Sequence, residues 1–158
     1  MAAPVAQPEH VLVGPTIGHP SGTPHEALDV LRRVFEVQGV LSAVIGVESR
    51  PFGLTASEAV ALTALARESL PVSGIARTVG IRPNGASVLV DRLRERRLVR
   101  RQRSRRDNRV VTVELTDEGR QLIAALGDKI GPRLQSMLSA LQPDELSELA
   151  SSLAKLSG

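Results

Sequence analysis

The sequence contains no cysteine, tryptophan or tyrosine, and only two phenylalanines, Phe35 and Phe52. Without cysteine there is no disulfide, thiol redox sensor, cysteine nucleophile or thiolate metal site. With so few aromatics, an aromatic cage or a base-stacking platform has almost nothing to be built from. The three histidines, His10, His19 and His25, fall within the first 25 residues, which removes a histidine triad or zinc cluster from the body of the fold. No stretch approaches the roughly 20 apolar residues of a membrane span, and the first residues lack the basic and apolar regions of a secretory signal. A cytoplasmic protein with no membrane partner is expected. No nucleophile–base pairing, metal-ligand cluster or phosphate-cradling loop is visible, so the sequence predicts no catalytic residue, no metal and no cofactor.

The 158 residues, 42% of them hydrophobic, suit one folded domain with modest extensions. Charge is distributed unevenly. Residues 75–110 hold twelve arginines, no lysine and three acids, while the rest of the chain is net acidic although the whole carries +3. A basic segment on an acidic body suggests a surface for a polyanion, and arginine forks onto phosphate better than lysine does. A charge run is more often only a solvated face. Here the near absence of the opposite sign favours a binding surface.

Residues 1–24 carry five prolines and three glycines, a density of breakers that predicts a flexible arm. Residues 25–53 read as a long helix and its end. Leu28, Leu31, Phe35, Leu41 and Val44 follow helical spacing, and Val30, Val34, Val37, Val40 and Ile45 widen the stripe until a second cover is needed, best supplied by another subunit. Thr55 and Glu58 fit a capping box opening a helix over about 56–68. A short helix follows Pro71 and stops at Gly80. Pro83 opens the next, which is expected to run to about Arg97 with Ala86, Leu89, Val90 and Leu93 inward. The period then changes to two: Leu98-Val99 enters one strand, and Val111, Val113 and Leu115 alternate inward on a second. The polar run 101–108 between them makes a hairpin with a basic tip. Thr116 caps a long fifth helix that Gly131-Pro132 should kink. Leu146, Leu149, Leu153 and Leu156 mark the seam of a last helix after Pro143.

Helix, tight turn, helix and basic hairpin describe a winged helix-turn-helix: a mainly α fold with a small β-hairpin wing, flanked by N- and C-terminal dimerisation helices. The boundaries are a 1–24 arm, a 25–53 dimerisation helix, a 54–116 DNA-binding domain and 117–158 dimerisation helices. In such a fold the second helix of the pair enters the major groove, and a wing arginine can sense the minor groove. The candidate recognition residues are Arg82, Asn84, Gly85, Ser87, Val88 and Arg92. Asn84 and Ser87 can bond bases or phosphates, or simply fill the first turn. Val88 can touch a thymine methyl but cannot donate to guanine. Arg103, Arg105 and Arg106 in the wing, together with Arg94, Arg96, Arg100 and Arg101, read as phosphate contacts. If about four per subunit engage, a dimer neutralises ~8 phosphates and gives a log–log salt slope near −7.

The run from Leu54 to Leu126 resembles the MarR family of bacterial transcriptional regulators. The matches are Leu54-Thr55, Ile75-Ala76, Val90-Asp91-Arg92-Leu93, Leu98-Val99-Arg100-Arg101, Asp107-x-Arg109 and Leu115-Thr116-x-x-Gly119. The resemblance implies a homodimer that binds a pseudo-palindromic double-stranded operator, usually as a repressor. It implies that Arg109 enters the minor groove while Asp107 holds the wing in shape, although on residues alone Arg109 also fits a phosphate contact and Asp107 a turn acid. It further implies release by a small phenolic or otherwise anionic effector, in a cleft for which Phe35, Leu41, Val44 and Phe52 are candidates, or else plain core. Arg97 stands where the family commonly has glycine before the strand, so a positive φ there would strain it. Two alternatives remain: a non-specific nucleic-acid binder (nucleoid or RNA), and a module whose winged domain binds a protein.

Overall fold

The computed structural model describes residues 23–103 and 111–157. In chain order the elements are α1 (Pro24–Ser49), a 3-10 turn (Arg50–Phe52), α2 (Ala56–Arg67), α3 (Val72–Val79), α4 (Pro83–Glu95), β1 (Val99–Arg103), β2 (Val111–Leu115), α5 (Asp117–Leu138) and α6 (Pro143–Ser157). The chain divides into two units, one through Gln38 and the other from Gly39 onward.

In the first unit the described residues are Thr23 and the opening turns of α1. The Thr23 hydroxyl accepts from the Glu26 backbone N–H at 3.3 Å, and the Glu26 carboxylate accepts from the Thr23 N–H in return, a reciprocal pair that occupies donors left free at a helix start. Arg32 reaches Asp29 at 2.8 Å and Glu36 at 2.6 Å. Hydrogen bonds from Arg32, then from Arg33, hold the Asp29 carboxyl below its usual range. Leu28, Leu31, Val34 and Phe35 are exposed on this chain.

In the second unit the core is built where the helical and strand patterns converge. Leu62 and Leu65 of α2, Ile75 of α3, Leu89, Val90 and Leu93 of α4, Val99, Val113 and Leu115 of the strands, and Leu126 and Ile130 of α5 form one buried cluster. Each comes from the apolar stripe of its own helix or the inward face of its own strand, so burial follows period. The expected capping box at α2 is present: Thr55 Oγ1 accepts from the Glu58 N–H at 3.2 Å, and Glu58 Oε2 from the Thr55 N–H at 2.8 Å. Strands β1 and β2 pair antiparallel from Val99↔Leu115 to Arg103↔Val111. A further bridge joins Leu70 to Val113, with N–H to O distances of 3.1 and 2.8 Å, so the α2–α3 connection supports the base of the hairpin. Helix α5 carries Pro132 inside one uninterrupted element.

Two local expectations need correction. Helix α4 stops at Glu95 rather than near Arg97. Val111 is 48% exposed, since it pairs with Arg103 at the far end of the described hairpin, and Thr112 is buried beside Val113 instead.

Candidate nucleic-acid interface

Helices α3 and α4 are joined by Gly80, Ile81 and Arg82. Gly80 takes φ +72°, its N–H donates to Arg77 O at 3.3 Å, and the Ile81 N–H donates to Ala76 O at 3.0 Å. These two bonds close the end of α3 and turn the chain sharply. Pro83 then occupies the first position of α4, where a missing N–H costs nothing. The residue before it, Arg82, is extended and makes no side-chain cap bond. The first N–H groups of α4 therefore carry no capping side chain.

Helix α4 buries Ala86, Leu89, Val90 and Leu93, which leaves the opposite face outward. Asn84, Val88 and Arg92 follow one another at intervals of four along it, and all three are exposed, as are Arg82 and Gly85. Ser87 is half-buried, and its hydroxyl donates to Pro83 O at 3.2 Å, which fits first-turn filler better than a free base-reading group. Val88, 60% exposed, is an apolar contact in the middle of a polar row. Of the wing candidates, Arg103 is exposed at the end of β1. Arg105, Arg106, Asp107 and Arg109 lie outside the described residues.

Several arginines expected to face phosphate have partners within the chain. Arg100 and Gln102 of β1 both donate to the Glu114 carboxylate across the hairpin. Arg94 and Arg101 lie 3.5 and 3.3 Å from Asp91 Oδ1. That oxygen is buried and accepts no well-aligned hydrogen bond, so the contact is charge attraction more than a directed bond. Arg92 Nε stands 3.8 Å from the buried Glu58 carboxylate. The Arg96 guanidinium donates to Gly53 O at 2.7 Å and to Phe52 O at 2.8 Å. In the basic segment, Arg77, Arg82, Arg97 and Arg103 have no such partner among the described residues.

A cavity of about 660 Å³ opens between α2 and α5, lined by Ala59, Val60, Ala64, Ile123, Ile130 and Leu134 among others, with Ile45 of α1. Its walls are aliphatic. Thr63 and Thr78 also line it, but their hydroxyl hydrogens go to Ala59 O and Gly74 O within their own helices. Arg67 and Glu68 supply its charges. The cleft candidates do not line this cavity: Leu41, Val44 and Phe52 are half-buried elsewhere in the second unit, and Phe35 is exposed in the first. Sequence reasoning missed the lining because alanine and isoleucine at helical spacing on α2 and α5 carry only a core signal.

A helix-turn-helix followed by a basic antiparallel hairpin, all on one core, is the architecture of a winged-helix DNA-binding protein. Comparison with known proteins narrows the class. Residues 52–109 match the model of the MarR family. The chain is 29% identical over 135 residues to the uncharacterized HTH-type transcriptional regulator YhbI of Bacillus subtilis (strain 168), covering 83% of this chain and 86% of that one. It is 35% identical over 68 residues to the HTH-type transcriptional repressor MdtR of the same organism, covering 42% and 44%. The crystal structure of CouR from Rhodococcus jostii RHA1, bound to p-coumaroyl-CoA, superposes with a TM-score of 0.73 at 21% identity, over 85% of this chain and 96% of that one; at that identity the likeness is one of fold. The winged-helix region, residues 52–109, thus carries the MarR-family pattern, and the curated relatives that the chain resembles are HTH-type transcriptional regulators, not enzymes. Among the described residues no helix is long and apolar enough to cross a membrane.

Proposed function

We propose that this protein is a homodimeric repressor that binds a pseudo-palindromic double-stranded operator and is released by a small ligand. The observation that carries the reading is the outward row Asn84, Val88 and Arg92 on α4, beside an arginine-rich hairpin. A row of this length fits a major groove, and Arg109 of the wing is assigned to the adjacent minor groove with Asp107 shaping the turn. Arg103, Arg105 and Arg106 serve as phosphate contacts. The second copy covers the exposed apolar residues of α1 and the leucines of α6, of which Leu149, Leu153 and Leu156 are exposed here. Residues 54–116 thus bind DNA while 25–53 and 117–158 dimerise. MdtR, a repressor, supports the direction of regulation. A regulator works where its DNA is, so the cytoplasm is its place.

The cavity between α2 and α5 supports release by ligand. Its aliphatic walls suit an apolar body, and Arg67 suits one carboxylate; CouR, of the same fold, is bound to p-coumaroyl-CoA in its crystal structure. Release requires that the ligand bind two conformations unequally. The test is fluorescence anisotropy on duplex DNA from directly upstream of the protein's own gene, against a shuffled duplex, at several salt concentrations. The expected result is tight, preferential binding by a dimer. Equal and steeply salt-dependent binding to this duplex, its shuffle and duplexes selected from a random library would replace the reading with non-specific nucleic-acid binding. No binding by ligand-free protein would favour a protein-interaction module.

A further inference from the structure

Arg96 belongs to the basic segment, yet its guanidinium is turned back into the protein. It sits one residue past the end of α4, where its own N–H already donates to Arg92 O. Its two terminal nitrogens fork onto Gly53 O at 2.7 Å and Phe52 O at 2.8 Å. Those carbonyls close the 3-10 turn through which the chain leaves α1. Gly53 itself is at φ +66°, and a Cβ there would lie 3.6 Å from Arg96 Nη2. The guanidinium therefore lies directly over the corner. Carbonyls at a helix end carry the negative pole of the backbone dipoles and lack intrahelical donors. A planar cation with parallel N–H groups matches two adjacent carbonyls in a way that an ammonium group cannot.

We propose that Arg96 is a positioning residue for DNA binding: by tying the end of the recognition helix α4 to the corner that leaves α1, it sets the pose in which α4 meets the operator. It touches no phosphate. The tie is a direct path by which a change in the segment after α1 reaches α4. The inference rests on the DNA-binding reading above, and the test separates the two.

Arg96→Lys keeps the positive charge and loses the fork, whereas Arg96→Ala loses both. Full-length wild type and both variants are titrated onto the upstream duplex and its shuffled counterpart across a salt series, and amide hydrogen exchange is measured on the free proteins. The expected result is that both variants lose about three- to tenfold in affinity for the upstream duplex. Affinity for the shuffled duplex and the salt slope should stay unchanged, and exchange at Gly53 and Leu54 should rise. If Arg96→Lys binds like wild type while Arg96→Ala flattens the dimer's slope by about 1.8, Arg96 is a phosphate contact and the proposal falls. It falls also if Arg96→Lys melts lower but keeps the wild-type preference between duplexes, since the role is then only structural. If wild type itself shows no preference, the operator reading has failed; exchange at Gly53 and Leu54 unchanged in Arg96→Lys would overturn the tie as well, and raised exchange would sustain it.

Discussion

Arg97 offers a test of backbone strain with an internal control. Two helix ends in the winged domain are built alike. At the end of α3 the left-handed residue is Gly80, with N–H bonds from Gly80 to Arg77 O and from Ile81 to Ala76 O. At the end of α4 the same pair of bonds runs from Arg97 to Arg94 O at 2.9 Å and from Leu98 to Leu93 O at 3.0 Å. The left-handed residue there is Arg97 at φ +60°, the sole non-glycine residue with positive φ among those described. Leu98 and Leu93 are both buried, which supplies the apolar contact that accompanies this motif. Arg97 O also accepts from Thr116 Oγ1 at 2.6 Å, so the surrounding bonds hold the residue in its conformation. A side chain in the left-handed region costs about 1–2 kcal/mol, and glycine's greater freedom in the unfolded chain offsets about 0.5–1 kcal/mol of any relief. Arg97→Gly should therefore be more stable than Arg97→Ala by about 0.5–1 kcal/mol. The two variants lose the same charge, so their difference isolates the backbone. In urea the midpoint should rise by about 0.3–0.5 M, measured at one protein concentration because association adds to stability. Gly80→Ala, with open space around its would-be Cβ, should lose a similar amount. An Arg97→Gly midpoint at or below that of Arg97→Ala would refute the reasoning.

Four other outcomes are expected. Gly119→Ala would put a Cβ 2.1 Å from Leu98 O, an overlap with backbone that only displacement of α5 can relieve, so the melting curve should show a loss of about 3 kcal/mol or more. Thr55→Ala removes the oxygen that caps α2 and should cost about 1 kcal/mol in a denaturant titration, with Thr55→Ser close to wild type. Val34→Glu on the exposed stripe of α1 should convert the dimer to monomer in sedimentation, and operator affinity should fall with it; a dimer that survives would move the interface elsewhere. For salt dependence, Arg82→Gln and Arg103→Gln should each flatten the log–log slope by about 1.8 per dimer, while Arg100→Gln, whose side chain is engaged by Glu114, should leave it unchanged.

The fold was legible where period and punctuation agree. The Thr55–Glu58 pair, Gly80, Pro83 and Thr116 each mark a boundary by a mechanism local to a few residues, and each boundary falls where that mechanism puts it. The end of α4 was less legible. Its αL residue is an arginine, and only the resemblance to a family with glycine at that point raised the prospect of positive φ. Composition, for its part, exposed a basic segment but could not say where each arginine points. Arg96 and Arg100 look alike as members of a run, and they diverge only through long-range partners: Phe52 and Gly53 lie more than forty positions before Arg96, and Glu114 lies fourteen after Arg100. A net charge of +9 over residues 75–110 thus overstates the charge available to DNA, because part of it is balanced within the fold by Glu58 and Glu114, which lie outside that segment. The unpartnered set on the described residues, Arg77, Arg82, Arg97 and Arg103, still numbers about four per subunit, the number that gives a slope near −7 for a dimer. If the slope is that steep, these four and the tip of the wing have to share it, and substitutions of one residue at a time will divide it between them.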